Sequence, residues 1–403
     1  MNHLKGLRVV SFNHFLMGPV GIQFLADIGA DVIAVEPTEG AFQRSWGGAN
    51  KSVDGQTMLL LSGNRNKKSL ALDLKDPQGL AIARKLIATA DVLAENFRPG
   101  VLDKLGLGYD AVRAIKPDII YASASGYGAD GPYVNRPGQD LLIQALSGLA
   151  TITGTPDGGP RAVGVSAADH HGAALFAAGI LAALVRRERT GEGGRVDVSL
   201  LSAAIDLQLE SFTCYLNGQR PDDVRQPYPL SGWYFGAPYG IYRTRDGYIA
   251  ISLGKLSTLY DALDCPAESR IDDSDAYVRR EEAAQVIAGA VRGLTTDECE
   301  GRFVKQGIWH ARVNDYADVV EDPQVRHNQT FRTVRGATGS DITLVSHPVR
   351  YDGCTPEVTL APQPLGAQTE EILRELGYDD GAIDGLLASG VIAAAPAPQE
   401  SGG

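Results

Sequence analysis

The chain has 403 residues, of which 44% are hydrophobic and 21% charged, with a formal net charge of −12. This composition is typical of a globular protein with room for one large domain and a smaller one. The acidic surplus argues against a nucleic-acid partner, because phosphate neutralisation needs an excess of Lys and Arg.

No feature of the sequence indicates export or a membrane span. Arg8, Asn13 and His14 interrupt the apolar N-terminus, which therefore does not read as a signal peptide. The longest uncharged apolar stretch, residues 172–185, is too short to cross a bilayer. Four cysteines lie far apart without a CxxC pair, which suits a reducing compartment: Cys214, Cys265, Cys299 and Cys354. We expect a cytoplasmic protein without a membrane partner.

Short β-rich runs alternate with helical patterns over the first 125 residues. The predicted strands are residues 7–12, 31–36, 70–74, 91–96 and 118–124, and the predicted helices begin near residue 18 and cover 77–89. This alternation is typical of βαβ units around a parallel sheet, so the pattern predicts an α/β fold.

A long apolar helix is predicted next, over residues 172–189 (GAALFAAGILAALVRRER). It is hydrophobic nearly all round until its basic last turn, as expected for a buried helix. A strand at 195–198 and a helix at 200–216 should follow.

The remaining composition predicts the domain organisation. Residues 1–216 form the first part of a large domain, and the Pro-rich and polar residues 217–229 form a linker. Residues 230–325 have the aromatic strands and helices of a small α+β domain. Residues 326–390 return to the large domain, and 391–403 (VIAAAPAPQESGG) form a flexible tail.

Common cofactor motifs are missing from the sequence. GxGxxG, GxxxxGK[ST] and HExxH do not occur, and the serines in 121–126 (YASASG) lack the first glycine of a nucleophile elbow. His170 and His171 would point ~100° apart on a helix, so one metal ion could not bind both. We expect neither a metal nor a tightly bound cofactor.

Asp169 lies at the predicted start of the buried helix, in SAADHHG. One interpretation is a helix N-cap, whose carboxylate binds amide groups and meets the positive end of the helix dipole. The other is a nucleophile, because Gly172 and its small neighbours leave room for a ligand, and a carboxylate there can attack a thioester. Position alone does not decide between them.

Two basic segments could bind a phosphorylated ligand. Residues 64–75 (NRNKKSLALDLK) contain four cations, although a solvated loop is the alternative reading. Residues 95–100 (ENFRPG), followed by Lys104, lie at the end of a predicted strand. Asn96, Phe97 and Arg98 offer there a hydrogen bond, a stacking face and a charge.

Several strings in register resemble the class III CoA-transferases, the family of formyl-CoA transferase and the carnitine CoA-transferases. They are LKGLRVVSF, GADVIAVEP, NRNKKSLALDLKDPQG, ADVLAENFRPGVLDKLGLGY, GILAALVRRERTGEGGRVDVSL, VVEDPQVR and PLGAQTEEILRELGY. The resemblance implies a Rossmann-like large domain with a parallel sheet, a smaller α+β domain and an interlocked-ring homodimer. Acyl-CoA and small carboxylic acids would be the substrates.

The resemblance also implies site residues. The family's nucleophilic aspartate falls on Asp169, and its CoA-contacting positions fall on His14, Leu72, Lys75, Asn96, Phe97 and Lys104. Lys104 stands where an arginine is usual and lacks the forked guanidinium. Leu16 is also among the predicted CoA-binding positions, but it stands where formyl-CoA transferase has a glutamine, so the polar contact of that glutamine should be absent. Arg98 joins the predicted CoA contacts, and Gln139, Asp140 and Gly172 are candidates for the substrate pocket.

Two other functions remain as alternatives. The same fold hosts α-methylacyl-CoA racemases, which need a histidine and an aspartate as opposed proton carriers. Gln139 stands at the racemase histidine position, and Lys255 lies near that of a racemase glutamate, which favours the transferase. The second alternative is a non-catalytic acyl-CoA-binding protein. Trp233, Tyr234, Phe235 and Tyr239 would line an acyl pocket or belong to a core.

Overall fold

The computed structural model describes residues 2–218 and 220–395. The chain divides into two compact units. The large unit contains the residues up to 143, residues 166–204 and the residues from 323 onward, whereas the small unit contains 144–165 and 205–322.

The strands are β1 (Arg8–Phe12), β2 (Asp31–Glu36), β3 (Ser52–Val53), β4 (Gln56–Thr57), β5 (Lys67–Leu72), β6 (Val92–Glu95), β7 (Ile120–Ser125), β8 (Gly194–Ser199), β9 (Gly240–Arg243), β10 (Tyr248–Ile251), β11 (His310–Arg312), β12 (Phe331–Arg335), β13 (Asp341–Val345) and β14 (Ile392–Ala393).

The helices are α1 (Met17–Asp27), α2 (Met58–Gly63), α3 (Pro77–Ala88), α4 (Val101–Lys104), α5 (Tyr109–Ile115), α6 (Asp140–Leu146), α7 (Leu149–Thr153), α8 (Ala167–Thr190), α9 (Leu200–Asp206), α10 (Leu209–Asn217), α11 (Leu256–Ala262), α12 (Arg280–Arg292), α13 (Thr296–Lys305), α14 (Tyr316–Glu321), α15 (Pro323–His327), α16 (Thr369–Glu375) and α17 (Asp380–Ala388).

The large unit is built on a seven-stranded sheet with the order β14-β5-β2-β1-β6-β7-β8. All neighbours pair in parallel except β14, which runs antiparallel to β5. Counted along the chain, the six parallel strands have the order 3-2-1-4-5-6 of a Rossmann fold. The predicted α/β class with a parallel sheet is therefore confirmed.

Helices cover both faces of this sheet, which explains the nearly continuous apolar strands. One face packs on α1 and α8 through Ile22, Leu25, Phe176 and Ile180. The other face packs on α3, α16 and α17 through Ile82, Leu86, Ile372, Leu373 and Ile383. Both chain ends therefore contribute to one core.

The small unit has a three-stranded antiparallel sheet with the order β11-β10-β9. Its core contains Tyr242, Tyr260, Ile287 and Phe303, all fully buried. A capping box begins α13, where the Thr295 side chain accepts the Glu298 N–H and Glu298 accepts the Thr295 N–H.

The unit boundaries differ from the predicted domains. Residues 144–165 and 205–216 belong to the small unit rather than to the large one, and the return to the large unit begins at residue 323. Residue 391 is also too early a start for the predicted tail, because Val391 and Ile392 are buried and β14 pairs with β5. Residues 396–403 lie outside the described residues.

Two helices also differ from their predicted lengths. The helix expected over 200–216 is interrupted between α9 and α10. Helix α8 begins five residues before the predicted start at 172, and it is the one described helix long and apolar enough to span a membrane by length and composition alone. Only 39% of its most apolar window is buried within the chain.

Candidate active site

The loops after β1 and β6 meet at the point where the strand order of the sheet reverses. The Asn96 side chain accepts the backbone N–H of His14 (2.8 Å) and donates to the His14 carbonyl oxygen (2.7 Å). The Phe97 ring lies 5.1 Å from the His14 ring, centroid to centroid. Open α/β sheets bind ligands at this crevice, so three predicted CoA contacts lie together where a nucleotide-like ligand is expected.

Burial lowers the pKa of His14 to about 4. Its imidazole is therefore neutral at physiological pH and offers a hydrogen bond and a ring face rather than a charge.

Asp169 is the third residue of α8, and the residue at the N-cap position is Ser166. The capping carboxylate comes from Asp140 instead, whose Oδ1 accepts the backbone N–H groups of Ala168 (2.8 Å) and Asp169 (3.1 Å). The N-cap interpretation of Asp169 is therefore wrong, and the Asp169 carboxyl group is left for other contacts.

The Asp169 carboxylate accepts the backbone N–H of Met17, the first residue of α1. The positive ends of α1 and α8 thus meet at this half-buried group. Even so, burial and the nearby Asp140 charge raise the pKa of Asp169 to about 7. The helix dipole and the Met17 amide favour the ionised form, but they do not outweigh burial.

Gly172 does not provide open space for a ligand. It is buried, and a Cβ atom there would lie 3.0 Å from Cε and 3.1 Å from Sδ of Met17. The missing side chain instead allows Met17 and α1 to pack against α8, where Gly21 also makes a close approach to Ala173. Our interpretation of Gly172 as room for a substrate is wrong. Gly172 instead lets Met17, whose backbone N–H binds Asp169, pack closely against α8.

Most cations of the 64–75 segment are occupied. Arg65 pairs with Asp27 (2.7 Å), and the buried Lys67 donates to the carbonyl oxygens of Pro19 and Gly63. Lys68 pairs with Glu371 (3.2 Å) and more distantly with Asp31. These three side chains hold the fold together and do not form a phosphate site.

Lys75, Arg98 and Lys104 differ, because each is exposed and forms no ion pair within the described part of the chain. Lys75 follows β5, and Arg98 and Lys104 follow β6, at the carboxyl ends of two parallel strands. These cations are available for an anionic ligand.

The two leucines among the predicted contacts have different settings. The Leu72 side chain is fully buried in the core, and β5 is paired on both sides at this end, so Leu72 offers no side-chain face to a ligand. Leu16 is half-buried and precedes the first residue of α1, next to the Met17 amide.

A row of aromatic rings extends the site and was not anticipated from the sequence. Phe15 lies 4.7 Å from His14 and 4.9 Å from Phe42, and Phe42 lies 5.2 Å from Trp46, centroid to centroid. Phe42 and Trp46 are about half exposed. The signal available in the sequence was the pair of aromatic residues, Phe42 and Trp46, in the loop that follows β2 of a parallel sheet.

The loop that carries this row is anchored. Arg44 forms a bidentate pair with Glu36 (2.6 Å for both contacts), and the Gln43 side chain accepts the Phe15 N–H (3.3 Å). These charged and polar contacts hold the loop in place while the Phe42 and Trp46 rings stay exposed.

The remaining candidates have less defined settings. Gln139 is exposed, directly before the capping residue Asp140. In the small unit, Trp233 is buried and donates to Ser211 (2.8 Å), so it belongs to the core, whereas Tyr234, Phe235 and Tyr239 form a half-buried ring stack. No cluster of three His, Cys, Asp or Glu residues suited to a metal ion occurs among the described residues.

Residues 4–369 of the chain match the sequence model of CoA-transferase family III. The chain belongs to this family. The protein is a CoA-transferase of the EC 2.8.3 type.

Named relatives cover almost the whole chain. Succinyl-CoA:glutarate CoA-transferase of Mus musculus is 36% identical over 97% of this chain and 91% of its own length. Succinate--glutarate CoA-transferase of Agrobacterium fabrum is 33% identical over 93% of this chain and 95% of its own. A CAIB/BAIF family protein from Brucella suis has a similar structure, with a TM-score of 0.80 and 31% identity over 93% of this chain and 99% of that one. These relatives favour the transferase over a racemase or a binding protein.

Proposed function

We propose that this CoA-transferase moves CoA from an acyl-CoA such as succinyl-CoA to a short dicarboxylate such as glutarate, with Asp169 as its covalent nucleophile. The substrates are those in the name of the Mus musculus relative. The observation that carries the nucleophile is the half-buried Asp169 carboxylate, bound by the Met17 amide and not used as the helix cap.

The reaction is an exchange of acyl partners on Asp169. The ionised carboxylate attacks the thioester carbonyl carbon, and the C–S bond breaks to give a mixed anhydride and CoA thiolate. The thiolate attacks the aspartyl carbonyl carbon, which releases the donor acid and leaves an aspartyl-CoA thioester. The acceptor carboxylate attacks that thioester, and the thiolate then attacks the acceptor carbonyl of the new anhydride. Acyl-CoA leaves, and Asp169 is a carboxylate again.

The surroundings of Asp169 support these steps. Burial strips water from the carboxylate and raises its energy as an ion, which makes it more reactive toward a carbonyl. The positive ends of α1 and α8 meet at this carboxyl group, and their potential favours the oxyanions that form. The exposed Lys75, Arg98 and Lys104 would bind the phosphates of CoA, while His14, Asn96 and Phe97 would contact its pantetheine or adenine.

Covalent trapping tests the nucleophile. After incubation with succinyl-CoA and treatment with hydroxylamine or borohydride, mass spectrometry should find the modification on the peptide that contains Asp169. Asp169→Ala should lose both the adduct and turnover, while Asp197→Asn, which removes a carboxylate of β8, should retain both. A folded, active Asp169→Ala would refute the assignment.

A screen of acceptors tests the substrate class. With succinyl-CoA as donor, we expect glutarate and other short dicarboxylates to be better acceptors than acetate or butyrate. Equal rates with monocarboxylates would contradict the dicarboxylate proposal but not the transfer reaction. Exchange of the α-proton of an acyl-CoA for deuterium without any acceptor would instead indicate racemase chemistry.

We also propose that the working form is an interlocked homodimer in the cytoplasm, with neither membrane nor nucleic acid as partner. Exposed apolar side chains support a second copy as the covering partner: α10 has no buried residue, and Leu209 and Leu216 are 63% and 62% exposed. The free cysteines and the net charge of −12 support the compartment and the lack of nucleic acid. Light scattering that reports a monomer would overturn the dimer.

A further inference from the structure

Glu95, the last residue of β6, is a buried carboxyl group to which the proposed reaction assigns no task. It is 7% exposed and lies directly opposite Ser123 of β7 in the parallel register. The Ser123 hydroxyl donates to Glu95 Oε1, and the Phe97 backbone N–H donates to Oε2 (2.9 Å). One side chain thus joins the neighbouring strand to the loop that follows its own strand.

Asn96 lies between Glu95 and Phe97 in the chain. Its side chain makes both hydrogen bonds to the His14 backbone, at 2.8 and 2.7 Å. The Glu95 carboxylate binds the Phe97 N–H, so it restricts the backbone on both sides of Asn96. This restriction fixes the direction of the Asn96 side chain. The positions of His14 and the Phe97 ring depend on the same turn.

We propose that Glu95 is a positioning residue, which sets the geometry of the acyl-CoA site through Asn96 and Phe97. This inference rests on the proposed function of that site. Among the described residues, no hydrogen bond or ion pair joins Glu95 to Asp169 or Met17, so its loss should weaken acyl-CoA binding and leave the nucleophile in place.

Burial raises the pKa of Glu95 to about 7, and the charge of Asp197 acts in the same direction. The hydrogen bonds from Ser123 and Phe97 and the charge of Arg195 lower the pKa but do not outweigh burial. The pKa of Asp169 also lies at about 7. A pH profile would therefore mix the two groups, and the split between KM and kcat is the better measurement.

The test compares Glu95→Ala and Glu95→Gln by steady-state kinetics with succinyl-CoA and glutarate, and by calorimetry with CoA alone. Glu95→Ala removes both acceptors, so KM for succinyl-CoA and the Kd of CoA should rise about tenfold, while KM for glutarate and kcat stay within about twofold. Glu95→Gln should restore binding, because its carbonyl oxygen accepts the Phe97 N–H and its amide donates to the Ser123 oxygen.

Asp197→Asn is the matched control, since Asp197 lies opposite Ser123 on β8 and its carboxylate forms an ion pair with Arg195. A purely structural role would lower kcat and the melting temperature of Glu95→Ala with KM unchanged, and that result overturns the inference. If Glu95→Ala does not fold, Ser123→Ala takes its place, and an unaltered KM for succinyl-CoA there also overturns it. Wild-type protein that neither binds CoA nor transfers it would refute the proposed function instead.

Discussion

The Asp140 carboxylate accepts the backbone N–H of Asp169 at 3.1 Å, so one acid caps the helix that carries the other. The arrangement has two effects. It satisfies amide groups at the start of α8, and it places a negative charge beside Asp169 that helps to raise the Asp169 pKa to about 7. The same residue that orders the helix therefore limits how much of the nucleophile is ionised.

The rate should depend on pH through Asp169. Only the carboxylate is nucleophilic, so kcat, which the role proposed for Glu95 leaves unchanged, should rise as pH increases and level off above about pH 7, the value to which burial and Asp140 raise the Asp169 pKa. Asp140→Asn keeps a capping oxygen but removes the charge, and we expect the acidic limb to move to lower pH. Initial rates from about pH 5 to 9 measure this. An unmoved or alkaline-shifted limb in Asp140→Asn would contradict the role given to Asp140.

Asp169→Asn should be more stable than the wild type at alkaline pH. The carboxyl pKa is raised from 3.8 to about 7 on folding, so ionisation costs stability as pH increases through that window. The neutral amide avoids this cost, and we expect a gain of up to about 4 kcal/mol at about pH 8 that disappears near pH 4. Urea denaturation at the two pH values checks the prediction, and a variant less stable than wild type at pH 8 would contradict it.

Gly172→Ala should disturb the nucleophile through Met17. The new methyl group would lie about 3 Å from the Met17 side chain, which must move. We expect a loss of about 1–2 kcal/mol of stability and a lower kcat, since the Met17 amide holds Asp169. Gly289→Ala, where a Cβ meets nothing within 4 Å, is the matched control. If kcat is normal despite lower stability, the Met17 contact is not needed for the reaction.

Neutralising the exposed cations should weaken binding of the CoA donor. Replacing Lys75, Arg98 or Lys104 by Ala should raise KM for succinyl-CoA about three- to tenfold, with a larger effect at low ionic strength. Lys68→Ala is the control, because Lys68 already pairs with Glu371. Kinetics at two salt concentrations measure the effect. Variants with wild-type KM at low salt would remove these residues from the binding site.

Trp46→Ala should affect the acyl donor according to its chain length. The aromatic row from His14 to Trp46 leaves an exposed ring pair beside the crevice. If methylene groups pack on it, kcat/KM should fall about tenfold for longer acyl-CoAs and less for acetyl-CoA. Trp309→Ala, at an exposed position in the small unit, should change nothing. A uniform loss for all donors would mean that Trp46 supports the loop rather than the acyl group.

Much of the large unit could be predicted from local pattern. The strands at 31–36 and 120–125 and the helix at 77–88 lie within a few residues of their expected bounds, because apolar runs between turns are local signals. The expected tail failed for the opposite reason. Ile392 and Ala393 look like part of an Ala- and Pro-rich end, yet they add an edge strand to β5 from more than 300 residues away.

The sequence by itself determined the α/β class, the family resemblance and the residue types available for catalysis, since these follow from periodicity and motifs within short stretches. Only the tertiary structure decided which groups are free to react. Arg65, Lys67 and Lys75 look alike in one basic segment, but partners distant in sequence occupy the first two and leave Lys75 exposed. Likewise, Asp169 became available because Asp140, brought next to it by folding, took over the cap. Charge and burial depend on neighbours in space, and a linear pattern does not contain them.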